Sequence, residues 1–428
     1  MITKPEIDVR EKGFKNRISL KAALQIAFDH VRIKGIETIN LREIQSSLKI
    51  LAEDVRAKYS VPNFDRALMD GYALRSEDTA YASKTNAVKM KVIEELSIKS
   101  IPNNVIKPFQ AIKIPTGGVL PSGADCVVPI EETIQNKTGD SIIEIDHSVE
   151  KEHHISRKGD DYIEGDLVFR KGTILSPIDV GVLLSIGIAS IKCYKIPKIG
   201  ILATGDEIVD EDRSLQPGEV YDSNSYVLVE YLNKIGIQTT RYKIIVDDYE
   251  AIKHTIQKII EVNDIIITSG GTAVGKKDFI PLILNELSDV LIHGISIKPG
   301  APTTFGVKNN KYFLGLPGFP VSNLISFVFF GLPIVLHMLG SEISFFRLKA
   351  VLTDDFLSTK GRTDFLRVKI TYKNDLTLAT PITVASSSLL RTLSKSDGIV
   401  ILDETTEKIL KDEIVTVMII DKLINNNE

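Results

Sequence analysis

Tryptophan is absent and cysteine nearly so: among 428 residues only Cys126 and Cys193 carry thiols. Both lie in apolar, strand-like stretches and neither belongs to a CxxC pair, which excludes a disulfide framework and fits a reducing cytoplasm. The first residues lack the apolar core of a secretory signal, in keeping with the same cytoplasmic location. No run of lysine or arginine stands out and the net charge is −4, so nucleic acid is not an expected partner. The seven histidines contain no HExxH, and the adjacent His153 and His154 are expected to diverge at the surface rather than share a ligand. Long apolar runs are missing save one, 321–339, which contains Asn323, Ser326, Gly331, Pro333 and His337. That run reads as a buried core helix kinked at Pro333, not as a membrane span. The length suggests about three domains.

What is present is punctuation at the ends of strand-like runs. IIITSGGTAVGKKDF (265–279) is a β-branched run, a glycine-rich turn and a helix-like segment. Gly270, Gly271 and Gly275 admit backbone angles closed to other residues, and a following helix N-terminus attracts anions. The spacing matches neither GxGxxG nor GxxxxGK[ST], so on its own the segment reads equally as a phosphate cradle or an ordinary loop.

Its neighbours favour the cradle. Strand-like 198–203 ends in TGDE (204–207). A helix over 222–236, capped by Asp222 or Ser223, leads to strand 239–246 and then Asp247-Asp248. An amphipathic helix over 249–262 precedes strand 264–268, its glycine loop and a helix around 278–287. Strand 290–297 ends in KPG (298–300), and a hairpin around Asn309-Asn310 runs into LPGFPVSN (316–323). This βαβ alternation predicts a doubly wound, mainly parallel sheet. Ligands bind such sheets beyond the carboxyl ends of the strands, where all five polar or glycine-rich motifs fall. Mixed carboxylates, lysine and glycine turns suit a phosphorylated ligand held partly through a divalent metal, with Asp278 placed beside the phosphate. Single members also have plainer readings: Asp247 or Asp248 as a helix cap, Pro317 and Pro320 as turn formers.

The N-terminal half differs. Residues 18–58 look helical, 88–150 are short strands separated by Pro, Gly and Asn, and a helix starts near Ser176-Pro177. The stretch 345–428 returns to alternating strands. VPNFDRALMDGYALR (61–75) packs Asp65, Asp70 and Gly71 into one turn, a cap or a functional carboxylate pair. IPTGGVLPSGADCVVPIEE (114–132) holds a hydroxyl-bearing turn at Thr116-Gly117-Gly118, and Glu131 and Glu132 read as surface charge.

FDRALMDGYA, IPTGGVLPSGADCVVPIEE, KGDD, ATGDEIV, the Asp pair, SGG-x-x-VG-x-x-D, KPG, GLPG-x-PVS and GR-x-DF occur in the order that characterises one family. Over roughly residues 15–420 the chain resembles the molybdopterin molybdenumtransferase family (MoeA type, including gephyrin's C-terminal region). The resemblance implies insertion of molybdate or tungstate into molybdopterin adenylate, with Mg²⁺-dependent release of AMP. It implies an elongated, discontinuous helical domain (10–60 and 157–195), an inserted β-rich domain (61–156), a molybdopterin-adenylate-binding α/β domain (196–340) and a C-terminal β-barrel (341–428). It also implies a homodimer with the site shared between subunits, and the molybdopterin adenylyltransferase as a further candidate partner.

Carried over onto matching positions, Asp65, Thr116 and Asp161 are functional in or beside the inserted domain. Glu207, Asp247, Asp278, Lys298, Pro317, Gly318 and Pro320 lie on the α/β rim, and Arg362 and Ser387 in the C-terminal domain. Asp65, Glu207 and Asp278 are the implied metal ligands. The chain departs from the family at Phe319 (usually Asn), Ala273 (usually Ser), Ala301 (usually Lys) and Gly294 (usually basic). Its basic cluster before the GDD is thinned to Ser156, Arg157 and Lys158. Each basic departure removes positive charge from the oxyanion subsite. Two other readings remain: the preceding adenylation of molybdopterin, and a non-catalytic scaffold.

Overall fold

The computed structural model describes residues 17–43, 48–135, 141–271, 279–341, 343–382 and 388–425. Its centre is a six-stranded sheet in the order Thr239–Arg241, Ile199–Ala203, Ile265–Ser269, Lys311–Leu316, Thr304–Lys308, Asp289–His293. The first four strands are parallel and the last two pairings antiparallel. Strand residues alternate between two apolar layers. Ile199, Ile201, Ile265, Ile267 and Leu314 face helix Asn224–Lys234 and the long helix beginning at Pro320. Leu202, Ile266 and Phe313 face helices Tyr249–Val262 and Ile280–Leu287. Burial on both faces explains the near-continuous apolar strands, and the arrangement is doubly wound.

Asn309 and Asn310 both take positive φ in the hairpin turn, the conformation such two-residue turns require. The helical stretch 320–338 is buried over 89% of its most apolar window, as a core helix should be. It passes through a π-turn at Phe327–Gly331 just before Pro333. Proline has no N–H for the carbonyl one turn back, so the ladder loosens there.

In the inserted region six strands order as Cys126–Pro129, Gly71–Leu74, Gln110–Ile114, Val88–Glu95, Ile142–Ile145, Ile134–Gln135. Both apolar clusters of that sheet draw only on residues 67–155. At the C-terminal end, strands Thr363–Lys373, Leu376–Pro381, Ile343–Leu352, Ile414–Asn425 and Gly398–Leu402 pair in a ring that returns to its start. Leu366, Val368, Val400 and Val417 fill its interior, while Phe365, Ile399 and Met418 pack outward on the α/β core.

The helical reading of 18–58, and with it of the discontinuous domain, is corrected. Among the described residues of that stretch only Leu20–His30 is α-helical, and it packs on the α/β core through Ala23, Ala27 and Val31. Ile36–Asn40 is a strand paired with Ser190–Tyr194, and Val55–Arg56 pairs with Leu167–Phe169. Ile36, Thr38 and Ile39 are β-branched and suit a strand, whereas short apolar runs fit either period. Leu41, Leu51 and Val55 share a small core with Leu183, Ile186 and Cys193. The expected helix at Ser176-Pro177 is present, with a capping box between Ser176 and Asp179. Strand 239–246 is shorter than expected, ending at Arg241 with one further bridge, Thr204 to Ile245. Strand 290–297 is likewise broken, at the left-handed Gly294.

Candidate active site at the carboxyl ends of the parallel strands

Three adjacent parallel strands end side by side, and their ladders continue into the loops. Thr204 N donates to Ser269 O (3.0 Å) and Gly270 N to Leu316 O (3.2 Å). Gly270 has φ +100°, and a Cβ there would lie 2.3 Å from Thr204 O. A Cβ on Gly318 would sit 3.6 Å from the Gly270 Cα, so these two loops touch. Gly270 N–H is thus committed to Leu316 and is not offered to a phosphate. Its contribution is the turn itself.

Two carboxamides lock the loops together. Asn323, buried at the start of the long helix, donates to Ser269 Oγ (2.9 Å) and Pro317 O (3.0 Å). Asn224 donates to Ser269 Oγ (3.0 Å) and Gly318 O (2.7 Å). Sequence reasoning assigned neither asparagine a role. The available signal was a polar residue at the first turn of each of two apolar helices.

The carboxylates stand on the neighbouring loop. Glu207 is exposed, its backbone held by Val220 N (2.8 Å). Asp247 N donates to Asp206 Oδ1 (3.0 Å). Asp248, not Asp247, caps helix 249–262, accepting from Ala251 N (2.8 Å). Thr204 Oγ1 is buried without a partner among the described residues. Phe319 is 61% exposed at the helix start, beside Pro320. Gly275, Asp278 and Ala273 lie outside the described residues, as does Ser387.

A second cluster lies at the seam with the C-terminal strands. Strand Ile297–Lys298 pairs in parallel with Thr363–Asp364. Arg362 Nε donates to Asp364 Oδ1 (2.7 Å), and Asp364 is 3% exposed. The ladder therefore sets Lys298 opposite Asp364, the carboxylate that holds Arg362. The usual basic residue at Gly294 would meet φ +96°, a region L side chains rarely adopt.

The inserted region holds a third cluster. Asp65 accepts from Arg157 Nη1 (2.5 Å) and Lys158 N (2.8 Å). The Lys158 N–H, followed by Arg157, holds its carboxyl below the usual range against opposing burial. Arg157 also binds Glu152, and this hydrogen bond leads in raising the guanidinium pKa. Thr116 donates through N (2.6 Å) and Oγ1 (2.8 Å) to Asp70, whose carboxyl the Thr116 N–H lowers. Thr116 therefore serves as the donor to Asp70, which the sequence left open as a cap or a member of a functional carboxylate pair. Asp161 is exposed, with its N–H on Val61 O (2.9 Å).

Profile comparison matches residues 18–187 to the MoeA N-terminal region (domain I and II), 200–337 to the "Probable molybdopterin binding domain" and 349–420 to the MoeA C-terminal region (domain IV). A molybdopterin molybdenumtransferase of Staphylococcus epidermidis is 31% identical over 405 residues, 94% of this chain and 95% of that protein. The chain belongs to the MoeA family. A Staphylococcus aureus molybdopterin molybdenumtransferase is 33% identical over 359 residues, 83% of this chain and 84% of that protein. A crystal structure of a Pyrococcus horikoshii molybdopterin biosynthesis MoeA protein superposes with a TM-score of 0.78 at 33% identity, covering 94% of this chain and 99% of the other. Like its MoeA relatives, this protein is a transferase of molybdenum cofactor biosynthesis.

Proposed function

We propose that this enzyme inserts molybdate or tungstate into adenylylated molybdopterin and releases AMP, with the adenylate seated on the rim formed by 204–207, 270–271 and 317–320. The observation that carries this reading is the convergence of Thr204, Gly270 and Gly318 beyond three neighbouring parallel strands, where such sheets take ligands. Exposed Glu207 and half-buried Asp247 are hard oxygen donors, the chemistry Mg²⁺ requires. With Asp278, and Asp65 from a second subunit, they would hold Mg²⁺, which supplies neutralisation of phosphoanhydride charge. Lys298 and Arg362 offer cationic charge to the oxyanion or phosphate. Asn224 and Asn323 hold the rim's backbone in shape. The chain works in the cytoplasm as a homodimer, docking the molybdopterin adenylyltransferase as supplier. Its divisions are 10–60 with 157–195, 61–156, 196–340 and 341–428.

AMP release from molybdopterin adenylate with Mg²⁺ and molybdate or tungstate tests the reading. Release that requires the oxyanion supports insertion. ATP-dependent adenylation of free molybdopterin instead would indicate the preceding step, and binding without turnover a scaffold. Asp278→Ala should abolish release while leaving the circular dichroism spectrum and melting temperature unchanged; normal turnover removes Asp278 from the metal set.

A further inference from the structure

His153 and His154 do not diverge. Their ring centroids lie 4.0 Å apart. The reason is backbone conformation: Glu152 and His154 take φ of +68° and +51°, which breaks the alternation that would send neighbouring side chains to opposite faces. The loop is fixed from both sides. Val127 N donates to His153 O and Leu68 N to His154 O, each at 2.9 Å. Glu132, at the end of the short turn Ile130–Glu132, completes the group: ligand atoms of Glu132, His153 and His154 all lie within 4.8 Å of one another. Glu132 is itself held, its Oε2 lying 3.2 Å from His147 Nε2, while His147 Nδ1 is 3.1 Å from Asp146 Oδ1.

We propose that Glu132, His153 and His154 form a binding site for a transition-metal ion of the zinc class, separate from the all-oxygen Mg²⁺ set. Two imidazoles and one carboxylate are borderline donors suited to Zn²⁺ and its neighbours and ill suited to Mg²⁺. Bonds of about 2.0–2.1 Å place tetrahedral ligand atoms roughly 3.4 Å apart, a short rotation from the geometry present. His147 Nε2 beside the ligating carboxylate, with the His147 ring hydrogen-bonded through Nδ1 to Asp146, supplies the outer-shell contact such sites use. Glu132 and His147 are 44% and 40% exposed, so the ion enters from solvent and a water completes its shell. The same loop continues into Arg157 and Lys158, which hold Asp65. An ion here stiffens the segment that orients Asp65.

Equilibrium dialysis of the full-length protein against Zn²⁺, with excess Mg²⁺ to occupy oxygen-only sites, should give one Zn²⁺ per chain. His153→Ala/His154→Ala should weaken that binding by more than about 100-fold, since loss of even an outer-shell partner costs about 10- to 100-fold. Zn²⁺ should raise the melting temperature of the wild type and not of the double variant. Glu132→Gln, at an exposed position, gives the same contrast if the double variant misfolds. Co²⁺ in the wild type should show the visible absorption of a tetrahedral nitrogen–oxygen site. Absence of bound Zn²⁺ in the wild type, or unchanged affinity in the variants, overturns the proposal.

Discussion

Gly271 takes φ +61°, and a Cβ there would meet Ile280 Cγ1 at 3.0 Å and Thr204 Oγ1 at 3.2 Å. Gly271→Val is therefore both strained and crowded at the mouth of the proposed cradle. Calorimetry should show most of the molybdopterin-adenylate affinity lost; unchanged binding would remove the glycine loop from the site. Asp65 responds to pH in a defined direction. Its folded pKa lies below the unfolded value, so its stabilising contribution is complete above about pH 4. That contribution fades as pH falls through the folded value. Between about pH 5 and 8 the group stays ionised, and no inflection in activity should trace to it. Arg157→Ala should raise the Asp65 pKa only part of the way back, because the Lys158 N–H is the leading cause; carboxyl NMR titration measures this. Asp65, Thr116 and Glu207 were legible as motif members, but their partners were not. Arg157 lies 92 positions from Asp65 and Thr116 lies 46 from Asp70, and only the fold sets such separations. His153 and His154 were misread because a left-handed residue cannot be seen in a sequence that places no glycine there.

Elements were legible where periodicity was long or punctuation strong. Helix Tyr249–Val262 buries Ile252, Ile256 and Ile259 along one stripe, and Asn309-Asn310 announces its hairpin. The segment 18–58 failed because its apolar runs are short and its strands find partners more than 100 residues away, as Ile36–Asn40 does with Ser190–Tyr194. The helix starting at Pro320 carries a further prediction. Asn323 is 2% exposed and makes two hydrogen bonds across the strand ends. Asn323→Leu should cost about 1–3 kcal/mol, since it leaves the Pro317 carbonyl without this donor and removes one of the two on Ser269. Chemical denaturation measures the loss, and AMP release should fall in step with the displaced rim. Asn224→Ala, on a half-buried side chain, should weaken adenylate binding with a smaller loss of stability.

Across the whole molecule, the apolar clusters of the inserted sheet contain only residues 67–155, whereas the α/β core recruits Phe365, Ile399 and Met418 from the C-terminal strands. Asp65 and the rim thus belong to separately packed units, as a site shared between subunits would require. Homodimers of Asp65→Ala and of Asp278→Ala should each be dead. With the proposed site shared between subunits, heterodimers would carry both lesions in one site and none in the other, so co-refolded mixtures should regain up to about half of wild-type activity per heterodimer by counting isologous sites. Native mass spectrometry confirms heterodimer formation, and an inactive heterodimer would place both carboxylates in one chain. The pairing of Ile297–Lys298 with Thr363–Asp364 has another consequence. The lysine is encoded with the α/β region but aligned by a ladder belonging to the C-terminal ring. These two regions are consequently not interchangeable cassettes. A chimera spliced near residue 341 would join two halves of one ladder drawn from different ancestors. Its register, and with it the spacing of two cations, would have to be inherited intact from both.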